Sequence, residues 1–409
     1  MKKQILYLLC SSMLCADNLK ELIEYAKIHN NLVHAHALTA QSKQEALQAS
    51  QATQMPTVDI GAMYQRLDDR TITIPGDIYN TYAKISYDIY DGNRKSSIIE
   101  QKQNEFHATE FEAEAFKKSL ALQIVQDFFG IKNIEETIKA LEEKKIALEA
   151  ELKRVKKFYQ ADLSTQDDVD KLQSAYDTNL YNIHSLRFQR LSTLKSLGLK
   201  VGKEIDELDP ALFTKTTLPT IQTNDTVKSL QFKEDSLKSL AKSMESAYLP
   251  QVNISDTYNL NEYGRTDATH PEGLPTQNKL MLNVNLRVFD GGTNEKNKQA
   301  TLINAQALNA QRQEAKASQK IGFELSLSKI KTEQLKIQSA LSALHAAQST
   351  YETIKEKYKA GVVDNVVYLD ALSGQTNALS LYKKSLNDLE VAYASYYYYA
   401  GKEIEEFIK

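Results

Sequence analysis

Four stretches of the chain exchange apolar and polar residues at every second position. They read "TVDIGAMYQRL" from Thr57, "TYAKISYDIY" from Thr81, "PQVNISDTYNLN" from Pro250 and "NKLMLNVNLRVF" from Asn278. Alternation of this kind predicts strands with one apolar and one polar face. In the last stretch Leu280, Leu282, Val284, Leu286 and Val288 share a face, against Met281, Asn283, Asn285, Arg287 and Phe289. In the third, Val252, Ile254, Tyr258 and Leu260 align, with Asp256 interrupting them. Val58, Ile60, Ala62 and Tyr64 do the same in the first, and Ala83, Ile85, Tyr87 and Ile89 in the second. Strands are expected at about 57–67, 80–90, 251–261 and 278–289, each about 10 residues long, the length that crosses a bilayer when tilted. Tyr64, Tyr79, Tyr82, Tyr90, Tyr258, Tyr263 and Phe289 fall near strand ends, where membrane barrels carry aromatic girdles. The polar connections 68–78 and 262–277 are expected to be exposed hairpin loops.

After each pair of strands the period changes from two to three or four. From Lys95 to Phe158 there is no proline and the one glycine is Gly130. Ile131, Ile134, Ile138, Leu141, Leu148, Leu152 and Val155 keep a helical seam, broken by Lys145. Leu327, Ile330, Ile337, Leu341, Leu344, Tyr351 and Tyr358 form a second, broken by Gln334 and Gln348. The pattern predicts long helices at about 93–159 and 293–358, each about 100 Å in length. Antiparallel return helices are expected at 166–197 and 364–399. Helices over 19–53 and 226–248 complete two sets.

The two sets are copies of one unit. "YDIYDGNRKS" ends one strand pair and "LRVFDGGTNE" the other, which sets Asp91 against Asp290. Farther on, "VKKFYQADLSTQDDVDKL" matches "IKEKYKAGVVDNVVYLDAL", with Tyr159 against Tyr358 and Asp162 against Gly361. Each pair is separated by the same interval of 199 residues (290 − 91, 358 − 159, 361 − 162). A shared interval at separate landmarks indicates tandem duplication. The first repeat is assigned to 17–197, a linker or belt segment to 198–225, the second repeat to 226–400 and a tail to 401–409. Gly92, Gly291 and Gly292 tolerate the backbone angles of a strand-to-helix turn, and Asp91, Asn93, Asp290 or Thr293 can cap the helix that follows.

Composition narrows the class. The 409 residues contain 7 Pro and 14 Gly, too few for a loop-rich globular chain, and the net charge is −3, from 50 basic and 53 acidic residues. No basic block points to nucleic acid. Lys2 and Lys3 precede the apolar run "ILYLLCSSMLCA", an export signal over 1–16 with cleavage after Cys15 or Ala16 and no lipidation. Both cysteines lie in that segment, so the exported chain depends on no disulfide. His34 and His36 would point in different directions on a helix, and no metal or other cofactor is expected. No nucleophile elbow or phosphate loop is present, so the chain is not expected to be an enzyme. The aromatic cluster "YASYYYYAG" at Tyr393–Gly401 is expected to pack in the belt.

Four strands cannot close a membrane barrel, and an open edge in lipid is prohibitive. The chain is therefore expected to oligomerise, and three copies supply twelve strands. The alternative is an exported coiled-coil structural or surface protein whose alternating stretches are linkers.

The duplicated pattern resembles the TolC-like outer-membrane factors of tripartite efflux and type I secretion systems. The resemblance rests on "YLPQVNISDTY", the "VFDGG" turn and "KYKAGVVDNVVYLDAL", with first-repeat counterparts "MPTVDIGAMY", "IYDGN" and "FYQADLSTQDDV". "LIEYAKIHNNLVHAHAL" is similar to the family's opening helix, with Asn31 where proline is common. The fold implied is mainly α with a membrane β-barrel: a homotrimer forming a 12-stranded barrel, a long periplasmic helical tunnel and an equatorial belt. The function implied is an outer-membrane export duct, passive in itself. Its implied partners are a periplasmic adaptor protein, an inner-membrane pump of RND or ABC type, and outer-membrane lipid. An iris-like gate is implied at the helix tips, where Tyr358 matches the pattern's tyrosine and Asp168 its carboxylate partner. Val363 stands in place of the pattern's arginine, facing Asp167, and Val367 replaces one of two constriction aspartates, leaving Asp370. Adaptor docking is implied at Ala161, Asp162 and Leu163 and at Ala360, Gly361 and Val362.

Overall fold

The computed structural model describes residues 17–68, 75–216, 220–265 and 274–409. The expected leader, just over half of the first hairpin loop and half of the second lie outside these residues. Eleven principal elements follow in order: α1 (Leu19–His29), α2 (Asn31–Ala52), β1 (Thr57–Arg66), β2 (Asp77–Tyr90), α3 (Arg94–Gln160), α4 (Gln166–Val201), α5 (Asp225–Glu245), β3 (Gln251–Gly264), β4 (Thr276–Asn285), α6 (Thr293–Lys359) and α7 (Asn365–Tyr399). The described residues form two compact units. One draws on the described residues up to Ala35, on Ala113–Asp225 and on Lys316–Lys409, the other on His36–Glu112 and Thr226–Ala315.

The duplication is preserved in the backbone. The helices α3 and α6 have 67 residues each, and their two ends and the starts of the return helices keep the interval of 199 (293 − 94, 359 − 160, 365 − 166).

In the second unit the four strands form one antiparallel sheet in the order β1-β2-β3-β4. The register places Val58 opposite Ile85, and Tyr87 opposite Ile254, which in turn faces Leu282. Ala83, Ile85, Tyr87 and Ile89 on β2 are exposed, whereas Tyr82, Lys84, Ser86 and Asp88 are half-buried. On β3, Tyr258 and Leu260 are exposed while Ser255 is buried. On these two central strands the polar face is thus the more sheltered, and it is knitted by amides, while β1 and β4 are exposed on nearly every residue. Asn80 Nδ2 donates to Asn261 Oδ1 at 2.7 Å, and Asn253 Nδ2 to Asp88 Oδ1 at 2.8 Å. A sheet in a soluble protein hides its apolar face instead. β4 ends at Asn285 rather than 289, because its neighbour β3 begins at Gln251, directly opposite Asn285. Leu286–Phe289 continue the alternation with no strand beside them, and Val288 and Phe289 are 85% and 82% exposed.

The repeated Asp-Gly turns now have a common physical cause. The Asp91 carboxylate accepts from Lys95 N at 2.8 Å, and the Asp290 carboxylate from Asn294 N at 2.9 Å, the same four-residue step in both repeats. Each aspartate therefore satisfies an orphan donor in the first turn of a long helix and sits at the positive end of its dipole. The intervening pairs take positive φ, 70° and 63° at Gly92 and Asn93 and 73° and 80° at Gly291 and Gly292. Tyr248 Oη also donates to Asp290 Oδ1 at 2.7 Å. The capping role falls to the aspartates. Farther along the long helices α5 packs against them: it turns buried Ser236, Ser239 and Ser243 inward, Phe232 stacks on Phe111 of α3 at 5.5 Å, and Glu234 holds Arg312 of α6 at 3.1 Å.

In the first unit the expected continuous helix over 19–53 is broken at Asn30, which takes an extended conformation. Its side chain accepts from Leu32 N at 2.8 Å and Val33 N at 3.1 Å and donates to Lys200 O at 2.7 Å. Asn30 ends α1 and caps α2, which makes Asn31 the first residue of the new helix, a position that suits proline because its N–H is not used. Around this break lies the largest apolar core, built from Leu22, Ile23, Ile124, Phe128, Phe129, Leu197 and Tyr396 among others. The linker and tail complete it. Leu208 pairs with Asp17, and Phe213 with Ile408, as isolated bridges. Tyr397, in the aromatic cluster, is fully buried, stacks on Phe407 at 3.8 Å and donates to Thr214 O. The cluster packs as expected.

Glu390 is buried in this core, accepting from Phe213 N at 2.7 Å, with Lys215 Nζ at 3.7 Å. Burial pushes its carboxyl above the usual carboxylate range. The folded chain thus binds this proton more tightly than the unfolded chain. The group's stabilising contribution is complete below the ordinary carboxylate pKa and is lost as pH rises through the raised value. Melting of Glu390→Gln in detergent should depend less on pH than the wild type between pH 4 and pH 8, with the variant the more stable at pH 8. Asp290→Ala should destabilise the protein by about 1 kcal/mol in the same assay, and Asp290→Asn by less, since an asparagine oxygen can still cap.

Candidate functional site

Each long helix ends in the same hydrogen-bonded turn. At the first tip Leu163 N donates to Phe158 O at 2.8 Å and Asp162 N to Tyr159 O at 3.1 Å. At the second, Val362 N donates to Lys357 O at 2.9 Å and Gly361 N to Tyr358 O at 3.1 Å. Both are Schellman closures, whose central residue must take a left-handed conformation. Gly361 does so at φ 71° and Asp162 at φ 58°. Asp162 therefore does not alter the turn; it adopts the glycine's backbone at a cost. The apolar residues at the turns, Leu163 and Val362, are 74% and 70% exposed.

The return helices begin with caps. Thr165 Oγ1 accepts from Asp168 N at 3.2 Å, and Asp168 Oδ2 accepts from Thr165 N at 3.2 Å and Thr165 Oγ1 at 2.8 Å, a reciprocal capping box. The Ser164 hydroxyl adds a third bond to that carboxylate at 3.1 Å. The Thr165 hydroxyl foremost, together with the Thr165 N–H and the Ser164 hydroxyl, holds the Asp168 carboxyl below its usual range. Asp364 caps α7 by accepting from Val367 N at 3.1 Å.

Between the tips the four helices share an apolar cluster that includes Leu148, Leu152, Val169, Leu172, Tyr351, Tyr368 and Leu372. Tyr358 closes it, stacked on Tyr368 at 4.8 Å. Arg154 of α3 lies over the Tyr358 ring at 4.8 Å and pairs with Glu151 at 2.7 Å. Burial, then the Glu151 carboxylate, pushes the Tyr358 phenol above its ordinary value. A cleft of about 380 Å³ opens here, lined by Arg154, Phe158, Asp168, Tyr358, Val363 and Asp364 among others.

The structure brings Tyr358 and Asp168 to one cleft, but no hydrogen bond joins them within the chain. The carboxylate is occupied by its own helix cap, and the phenol is engaged with Arg154 and Glu151. Asn365 Nδ2 instead connects the two tips, donating to Asp168 O at 3.2 Å. Asp167 is exposed and paired with Lys171 at 2.5 Å. Asp370 is exposed on α7, outside the cleft. Arg154 was not legible as a site residue in the sequence. Its spacing from Glu151 and Phe158 marks it only as part of a polar helix face, and its contact with Tyr358 crosses between repeats. Among the described residues no group of three His, Cys, Asp or Glu side chains is arranged to hold a metal ion, and no helix is long and apolar enough to cross a membrane.

A family model described as outer membrane efflux protein matches the chain twice, over residues 22–203 and 220–401. The chain belongs to the outer membrane efflux protein family. The two matches fall on the two repeats. One relative, the outer membrane protein TolC of Vibrio cholerae, is 22% identical over 302 residues, covering 69% of this chain and 67% of its own. Among solved structures, the Campylobacter jejuni CmeC outer membrane channel superposes with a TM-score of 0.84 at 16% identity, covering 95% of this chain and 86% of its own. The outer membrane protein VceC of Vibrio cholerae gives 0.83 at 14% identity, covering 94% and 96%. These structures share the fold of mainly helical architecture with a small sheet. The efflux-protein fold is therefore built here with Asp162 in a left-handed turn. Asp162→Gly should stabilise the protein by up to about 1 kcal/mol in chemical denaturation, with Gly361→Asp producing the opposite change.

Proposed function

We propose that three copies of the chain join into an outer-membrane export duct, with a 12-stranded barrel in the outer membrane and the helices lining a tunnel in the periplasm. The observation that carries this reading is the sheet. On β2 and β3 the apolar positions are the more exposed and the polar ones the more sheltered, and among the described residues β1 and β4 each lack a neighbour on one side. Such a sheet suits hydrocarbon outside and water inside once its edges are joined. Family membership supports efflux and the outer membrane. The duct conducts passively, receiving cargo from an inner-membrane pump of RND or ABC type through a periplasmic adaptor. The exposed tip residues Ala161, Asp162, Leu163, Ala360, Gly361 and Val362 are the surface offered to that adaptor.

The tips also form the gate, an iris whose closed state is held around Tyr358 and Asp168, with Asp167 and Asp370 beside the opening. Within one chain this lock uses Arg154 over Tyr358, so the guanidinium that position 363 lacks is supplied from α3. Cation–π contacts of this kind contribute about 0.5–2 kcal/mol each, enough to hold a gate yet small enough to be overcome by a docking partner.

Purified protein reconstituted in a planar bilayer should give steady single channels. Asp168→Ala, which removes the capping box at the tip, should raise the conductance. An unchanged conductance in a folded Asp168→Ala trimer would leave the duct and remove the gate. A wild-type trimer that inserts in no bilayer and carries no current would overturn the duct itself.

A further inference from the structure

The charged side chains of the sheet are divided unequally between acids that are paired and bases that are not. Strand register places them. Asp59 of β1 stands opposite Lys84 of β2, Lys84 opposite Thr257 of β3, and Thr257 opposite Lys279 of β4. Directly opposed residues share a face, so these four form one row across the polar face. Lys84 and Lys279 are two strand spacings apart in that row, about 10 Å. Arg287 continues the same alternation past the end of β4 and is exposed.

The other acid of this face is already neutralised. Asp88 lies 2.8 Å from Lys95 Nζ and accepts from Asn253 Nδ2 at 2.8 Å. At the far end of β2, Asp77 holds Arg265 Nε at 2.8 Å. Among the described residues Lys84 and Lys279 have no ion-pair partner, although Asp59 stands opposite Lys84. Three bases thus remain against the single acid Asp59. The neighbouring rows are neutral, with Thr57, Ser86, Ser255 and Met281 on one side and Gly61, Tyr82, Asn259 and Gln277 on the other. A Cβ on Gly61 would stand 2.5 Å from the Tyr82 ring, so that ring lies against the glycine instead of standing away from the wall. The lysines are the long, unpaired side chains of the band.

We propose that Lys84 and Lys279 make the barrel lumen an anion-favouring passage, suited to cargo that carries a carboxylate or a phosphate. The proposal rests on the duct reading above, in which the polar face lines the lumen and three copies repeat the row around it. The field of each charge reaches about 10 Å at 0.1 M salt. That is the spacing of the two lysines in the row, so their fields overlap around the band. Low-dielectric walls focus the field into the lumen. Anionic cargo therefore concentrates in the barrel, and cationic cargo crosses it against the field.

Reversal potentials in a planar bilayer, across a KCl gradient at low ionic strength, test this directly. The readout is the shift between variant and wild type, since Asp167 and Asp370 at the tips add their own contribution of opposite sign to the absolute value. Lys84→Gln/Lys279→Gln should move the chloride-to-potassium permeability ratio toward potassium by roughly threefold, and less at high salt. Asp59→Asn should move it toward chloride. Asp256 stands between Ile85 and Leu280 on the opposite face, so Asp256→Asn should leave the ratio unchanged. If the double lysine variant does not assemble, each single variant should shift the ratio in the same direction by a smaller amount. Channels whose ratio is the same in wild type and lysine variants would overturn the anion-favouring lumen while leaving the duct. So would a shift in Asp256→Asn as large as that of the lysine variants. A wild-type trimer that carries no current would instead remove the duct on which the proposal rests.

Discussion

An extended strand in hydrocarbon must have both of its backbone edges satisfied, and the proposed duct depends on this requirement. The chain provides four strands that each carry an exposed apolar face, and among the described residues it provides no neighbour for the outer edges of β1 and β4. Water would satisfy those edges in a soluble protein, but water would also penalise the exposed Val, Ile, Leu and Tyr side chains. The two demands are met together only where the face touches lipid and the edges touch other strands. The sheet is therefore half of a solution, and in the proposed duct other copies of the chain supply the remaining half.

The helical part is constrained by the same duplication that doubles the strands. Matching lengths in α3 and α6 keep equivalent features at equal distances from the Asp-Gly turns. A one-residue insertion in either helix would rotate everything beyond it by about 100° and misalign the seam. Length is thus fixed by register and not by local stability. This accounts for helices that carry many polar interruptions, such as Lys145 and Gln334, yet run unbroken. Continuity is supplied by packing in the belt core and in the cluster near the tips, where Tyr351, Tyr368 and Leu372 are buried.

Much of this was legible in the sequence, because strand alternation, helix length and the Asp-Gly turns are local patterns. The ends of α3, α6 and α7 came within a residue for the same reason, whereas α4 runs to Val201, four residues past the expected 197, and α5 stops at Glu245, three short of the expected 248. What was misread depended on contacts between distant residues. The break at Asn30 is enforced by Lys200 O, far along the chain. β4 stops at Asn285 because β3 starts where it does, a fact of pairing and not of propensity. At the tips the capping box of Asp168 is a local pattern, legible in "STQDD". Arg154 escaped notice because nothing local announces a contact between repeats.

The two tips share a backbone but not a surface. Asp162 and Gly361 occupy equivalent left-handed positions, so one turn carries a carboxylate where the other presents bare main chain. Around the proposed trimer, a partner that recognises only the shape of the turn meets six equivalent sites. A partner that recognises the carboxylate meets three. The stoichiometry of the docked assembly is thus set at the level of a single side chain.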